Sequence, residues 1–186
     1  MPSAPADPFA TATHVDPAAQ DALLRALRAH EQAEAGGRPW ARAESLLRLG
    51  RCYRRLGLHA AAQRCFEQAL RWSAVGGGDA GVEVLCELSE ACADEADEAE
   101  RAEPGSGRPA RERARDHVFD ATRRATRVAD PGWEVHVLLR LSDVLDRFGD
   151  HEDATVLQVR ALRLTAGAAL PADRPSADDA TLRQRH

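Results

Sequence analysis

Leu46-Leu47-Arg48-Leu49-Gly50-Arg51-Cys52-Tyr53, followed by Gly57, Ala62, Phe66 and Ala69, is the stretch that decides how this chain folds. Leu46, Leu49 and Tyr53 stand at i, i+3 and i+7, one face of an α-helix. Gly57 stops that helix, and Ala62, Phe66 and Ala69 make the apolar face of a second. Gly50 and Ala62 are small where two helices must approach closely, and Tyr53 and Phe66 fill the space they leave. On this reading Gly50→Leu overpacks the contact at a cost of about 1–3 kcal/mol. A two-helix hairpin this thin cannot bury its own apolar side, so it needs neighbours of its own kind.

Those neighbours are written in the chain. Arg55-Leu56-Gly57-Leu58-His59-x-x-Ala62 returns as Arg147-Phe148-Gly149-Asp150-His151-x-x-Ala154, 92 residues on at every position. The same offset carries Leu46 to Leu138, Leu49 to Leu141, Tyr53 to Leu145 and Ala69-Leu70-Arg71 to Ala161-Leu162-Arg163. A distorted copy lies between them. Leu85, Leu88 and Cys92 take the first-helix slots, and Ala114, Val118 and Ala121 take the second-helix slots. Leu85 and Ala114 are 29 residues apart where Leu46 and Ala62 are 16 apart, so this hairpin carries about 13 extra residues. They are placed at its tip, lengthening both helices by one to two turns.

The pattern of large apolar–x2–Leu–Gly–x2–Tyr, then Ala–x3–Phe, resembles the tetratricopeptide repeat. The resemblance covers roughly residues 40–168. It departs from the family at Ala74, which stands in place of Pro, and at Ser142 for Gly and Gln158 for Phe. Connections between copies run about 5–6 residues longer than the norm of about 34, as in longer-linker repeats of bacterial signalling regulators. The resemblance implies an all-α solenoid of helical hairpins with a concave face for a partner.

Composition agrees with helices and narrows function. Aromatics are 4% and hydrophobic residues 44%, so a core of Leu, Ala and Val is expected rather than a β-sandwich. All 25 basic residues are Arg, and Ile and Asn are also absent. Without Lys no P-loop lysine reaches a phosphate and no Schiff base forms. A net charge of -5 argues against a nucleic-acid partner. No apolar run is long enough to span a membrane, and the start has no signal-peptide character. Cys52, Cys65, Cys86 and Cys92 sit inside apolar helical patterns without a C-x-x-C pair, as buried thiols of a reducing compartment do. A cytoplasmic protein is expected.

Residues 1–15 read as a disordered tail. Asp16-Pro17 opens a capping helix over 17–35, a half repeat echoed by Ala26-Leu27-Arg28. Hairpins follow at 40–74, 80–129 and 132–167, and Asp130-Pro131-Gly132 is expected to close the fifth helix. The helical domain spans 16–168, about seven helices in all, and residues 169–186 read as a polar tail. The charged seventh helix is expected to cap the far end. At the tip of the middle hairpin Asp94, Glu95, Asp97, Glu98 and Glu100 face Arg108, Arg111, Arg113 and Arg115, which predicts a charge zipper between antiparallel arms and offers a docking arm.

The resemblance implies that the concave wall is made by the first helix of each pair. Its groove-facing positions are Glu44, Leu47, Arg51, Arg54 and Arg55; then Glu83, Cys86, Glu90 and Asp94; then His136, Leu139, Asp143, Asp146 and Arg147. Such a groove is basic at one end and acidic beyond, a polarity that orients an elongated ligand. The slots with which chaperone-binding members clamp a carboxylate hold Leu47, Arg51, Glu87, His136 and Arg140. Only Arg140 keeps that chemistry and Glu87 repels a carboxylate, so a chaperone-tail receptor is not expected.

Catalytic, cofactor and metal sites are not expected. His30-Glu31 and His151-Glu152 begin like H-E-x-x-H, but Glu34 and Thr155 replace the second His that a zinc site needs. His59 and His151 share one turn slot, which reads as structural. The leading expectation is a non-enzymatic adaptor that binds a peptide or helix of another protein. The alternatives are a homodimer embraced through the groove or the middle hairpin, and a sensor or enzyme with a pocket among Cys86, Cys92, His117 and His136.

Overall fold

Local signals set the helix ends. Asp16 accepts from the Ala18 backbone N–H at 3.0 Å, with Pro17 at the first helical position, a favourable start. Asp130-Pro131 repeats the device: the Asp130 carboxylate accepts from Gly132 and Trp133 N–H at 3.0 and 3.1 Å. Asp130-Pro131 therefore opens the sixth helix instead of closing the fifth, which already ends at Ala125. The computed structural model describes residues 16–76, 80–128 and 130–169. Within them are seven helices and no strand: α1 (Pro17–Gly36), α2 (Pro39–Arg55), α3 (His59–Gly76), α4 (Ala80–Ala102), α5 (Arg108–Ala125), α6 (Pro131–Arg147) and α7 (His151–Ala169). The two predicted tails, apart from Ala169, lie outside the described residues.

The 92-residue echo returns as hydrogen bonds. Leu58 N–H donates to the Tyr53 carbonyl at 3.0 Å and Gly57 N–H to Arg54 at 3.0 Å; Asp150 N–H donates to Leu145 at 3.1 Å and Gly149 N–H to Asp146 at 3.0 Å. Both turns hold their glycine at positive φ, 71° and 79°, which an L side chain adopts only with strain. Each then launches its second helix with the same bond, Ala62 to Leu58 and Ala154 to Asp150.

The hairpins α2/α3, α4/α5 and α6/α7 stack through α3 on α4 and α5 on α6, and α1 packs on α2. One core runs through the stack. Leu46, Phe66, Leu85, Leu88, Leu138 and Leu141 are buried in it, with Ala62, Ala114 and Ala154 fully enclosed. A Cβ added to Gly50 would come within 2.4 Å of the Phe66 ring. Bare backbone at that position is what lets the ring lie between α2 and α3.

The middle copy holds its slots, with Leu85, Leu88, Cys92, Ala114, Val118 and Ala121 all buried. Its insertion is lopsided. α4 runs 17 residues past Leu85, whereas α2 runs nine past Leu46; α5 has six residues before Ala114, whereas α3 has three before Ala62. The added length is thus about two turns on α4 and about one on α5.

The two ends differ. α1 buries only Ala26, and its His30 ring nitrogen lies 3.0 Å from the Ser45 hydroxyl of α2. The sequence predicts a charged outer face for α7, but Val156, Val159 and Leu162 stand on it exposed. The reason is periodicity: Ala154, Leu157 and Ala161 take the core side, which turns Val156 and Val159 outward.

Gly50→Ala is expected to lower unfolding free energy by about 1–3 kcal/mol, because its methyl group collides with an enclosed ring. Adding Phe66→Leu should recover part of the loss by making room for that methyl. Urea midpoints check both. An unchanged midpoint for Gly50→Ala would show that the α2–α3 contact is not tight there.

Candidate functional site

The first helices α2, α4 and α6 lie side by side. α4 turns a regular acidic stripe toward its neighbours: Glu83, Glu87, Glu90, Asp94 and Asp97, at spacings of four, three, four and three. That rhythm keeps all five on one helical face. Arginines from both flanks reach into it.

Glu87 is the centre. It is only 4% exposed, and it accepts from Arg51 at 2.8 Å, Arg54 at 3.0 Å and Arg140 at 3.0 Å. Arg51 also bonds Glu83. Arg54 also reaches Glu90 at 2.5 Å and Asp94 at 2.9 Å. From the other side Arg140 holds Glu83 at 2.9 Å and Glu90 at 2.7 Å, and Arg147 holds Asp94 at 3.0 Å and Asp97 at 2.5 Å. Burial works against the Arg140 charge, but Glu90 and Glu83 outweigh it and raise the guanidinium above its ordinary value. The same balance raises Arg54, with Glu90 and Asp94 overcoming burial. Charge-assisted bonds of this kind are stronger than neutral ones and fix geometry.

The expected groove residues therefore do different things. Arg51, Arg54, Glu83, Glu90, Asp94 and Arg147 are brought together, but against each other. Their polarity is spent in cross-bracing three helices. Arg55 is exposed and takes no ion pair among the described residues; it lines a cleft of about 410 Å³ with Arg51, Arg54, Glu87, Glu90 and Asp94. Glu44 pairs along its own helix with Arg48 at 2.5 Å. Leu47 is half-buried, while His136, Leu139 and Asp143 stand exposed on α6. Asp146 belongs to the α6–α7 turn, where it meets His151 at 2.9 Å and accepts from Gln158 at 3.2 Å. Cys86, expected in the groove, is fully buried, because Glu83, Glu87 and Glu90 occupy the wall side of α4. In sequence Glu87 and Arg140 read only as carboxylate-clamp slots. The acidic rhythm of α4 was the signal for Glu87; nothing in sequence told which arginines would reach it.

The predicted zipper is only partly made. Glu95–Arg113 at 2.8 Å and Glu100–Arg111 at 3.3 Å bridge the arms. Asp94 and Asp97 turn to the wall, Glu98 meets His59 at 3.0 Å, Arg115 meets Asp150 at 2.6 Å, and Arg108 meets Glu112 within α5 at 3.0 Å. Consecutive acids on a helix point to different faces, so no single partner helix can collect all five.

Of the suggested pocket, Cys86 and Cys92 are buried in the core, whereas His136 is exposed on α6. Cys86 lies beside Arg140 and Cys92 beside Arg113. Burial pushes the first thiol up to about 12 and the second to about 11, against the pull of those guanidiniums. Neither supplies a thiolate near neutral pH. Among the described residues no cluster of three His, Cys, Asp or Glu could hold a metal ion, and no helix is long and apolar enough to cross a membrane.

An apolar cleft adjoins the charged wall. Trp40, Ala43, Glu44 and Leu47 of α2, Ser73 of α3, and Ala80, Glu83 and Val84 of α4 line about 300 Å³. Glu83 belongs to this cleft and to the ionic lattice, so the two are continuous.

Glu87→Gln is expected to lower stability by about 1–3 kcal/mol, since three guanidiniums lose a shared, buried carboxylate. Glu44→Gln, which breaks an exposed pair, should cost under about 1 kcal/mol. Equal urea midpoints for the two variants would refute a bracing role. A pH effect is also expected. Burial holds the His117 imidazole below its ordinary value, opposed by Asp116, Asp120 and Glu67. The folded chain thus binds that proton less readily than the unfolded chain. The contribution is complete above about pH 6.5 and is lost as pH falls toward the folded value. His117→Gln should flatten stability against pH below about 6.5; an unchanged slope would exclude this group.

Residues 43–75, most of α2 and α3, match the tetratricopeptide repeat family model. No curated protein matches the chain. The crystal structure of BtubC (BKLC) from P. vanneervenii is similar at 16% identity over 87% of this chain and 97% of that chain, with a TM-score of 0.29. An overlap of that quality carries no argument. The matched repeat and the stack of helical hairpins make this an all-α protein that carries a tetratricopeptide repeat at residues 43–75.

Proposed function

We propose that the chain is a non-catalytic, cytoplasmic adaptor of a regulatory system, and that its wall takes a peptide or helix of another protein. Tetratricopeptide repeats generally mediate protein–protein interaction; the remainder is argued from the wall. One observation carries it: Trp40 is 58% exposed at the mouth of an apolar cleft that runs into a rigid, charged wall. A large aromatic beside a concave apolar surface is what a partner's anchor side chain requires.

The ionic lattice defines the rest of the mechanism. Its arginines and carboxylates already satisfy each other, so they contribute little net attraction to an incoming charge. They hold α2, α4 and α6 in fixed relation, which limits what must be ordered on binding. The partner is anchored by an apolar side chain at Trp40 and Leu47 and aligned by the rim, where Arg55, His136 and Asp143 remain free to contact it. The chain's four free thiols suit a reducing compartment, and its net charge of -5 disfavours nucleic acid.

Affinity capture from native cytosol at low salt, with the wild type and with Trp40→Ala and Leu47→Asp, tests this. The expected result is a protein partner whose binding weakens by about tenfold or more in both variants, the loss of a central anchor. Partners retained equally by all three chains would overturn it.

A further inference from the structure

The end of the stack carries a second surface, independent of the wall. On α7 the residues opposite the core are Glu152, Val156, Val159 and Arg163, at spacings of four, three and four. Val156 is 65% exposed and Val159 38%, with Leu162, 69% exposed, at the edge of the stripe. Phe119 of α5, 70% exposed, extends the apolar face across a cleft of about 390 Å³ that Val156 also lines. Glu152 and Arg163 are exposed and make no ion pair or side-chain hydrogen bond among the described residues. A helix that caps a solenoid ordinarily shows a polar outer face; α7, the last helix among the described residues, carries an apolar stripe there.

We propose that this face binds a second copy of the same chain, α7 against α7, antiparallel about a two-fold axis. The stripe's own symmetry selects that occupant. Setting the axis between Leu157 and Gln158 places each Val156 on the second copy's Val159 and each Glu152 on its Arg163. Apolar contact fills the middle and an opposite-charge pair closes both ends. A parallel pair would oppose Glu152 to Glu152 and Arg163 to Arg163, so the arrangement is self-complementary in one direction only, as an isologous interface demands. A face of about three helical turns is small beside the roughly 800 Å² per partner of a standard interface. The dimer is therefore of micromolar strength and exchanges in solution. The groove is not involved, so the wall of each copy stays open in the dimer.

Sedimentation equilibrium of the full chain from about 1 µM to about 1 mM spans that regime. The wild type is expected to shift from monomer to dimer. Val156→Glu should weaken the dimer by about tenfold or more, because the two-fold axis puts an unpaired carboxylate into the apolar middle twice. Glu152→Arg should do the same through like-charge repulsion at both ends. The double variant Glu152→Arg with Arg163→Glu should return the dissociation constant to within about threefold of the wild type, since the pairs are re-formed with signs exchanged. Far-UV circular dichroism, unchanged in all variants, separates these effects from unfolding, and Trp40→Ala should leave dimerisation untouched. A wild type that stays monomeric, a dimer indifferent to Val156→Glu, or a double variant that fails to recover would each overturn the proposal.

Discussion

A single nearly buried carboxylate, Glu87, ties the inner wall together. It is shared by two arginines of α2 and one of α6. An isolated charge at 4% exposure is unfavourable, because water is withdrawn from it. Three guanidiniums restore what water supplied, and each brings its own helix into line. The neighbouring carboxylates extend the arrangement along α4. Arg51, Arg54, Arg140 and Arg147 and the acidic stripe then behave as one network, in which each member's position depends on the others.

That network has a consequence for recognition. A groove studded with free arginines would attract an acidic ligand strongly and without much discrimination. Here the charges are matched across helices, so the wall is polar without being hungry for either sign. In the proposed partner complex, discrimination falls to shape and to the apolar cleft under Trp40. Rigidity of the wall and softness of its electrostatic appeal come from the same ion pairs.

The stack depends equally on small residues. Gly50, Ala62, Ala114 and Ala154 let paired helices approach until Phe66, Leu88 and Leu141 interlock. Close packing of this kind leaves the outer faces to be explained separately. α1 covers one end with modest burial. α7 covers the other with an apolar stripe bounded by one acid and one base.

Much of this was legible in sequence. The helix-period spacing of Leu46, Leu49 and Tyr53, the 92-residue echo and the Asp-Pro and Gly signals are local facts. Local chemistry dictates them: helix periodicity, N-capping and the positive φ of Gly57 and Gly149. Even so, Asp130 capped the helix after it rather than ending the one before, since a cap signal has no direction until a neighbour is placed. The site was legible only in outline. The sequence by itself determined which charges line the first helices and which residues form the core. Only the tertiary structure decided that Arg51, Arg54, Arg140 and Arg147 meet the stripe on α4, and that Asp146 and Cys86 leave the groove. The arginine contacts join positions 32 to 57 residues apart along the chain. The relative rotation and offset of packed helices set such distances, and no local pattern encodes them.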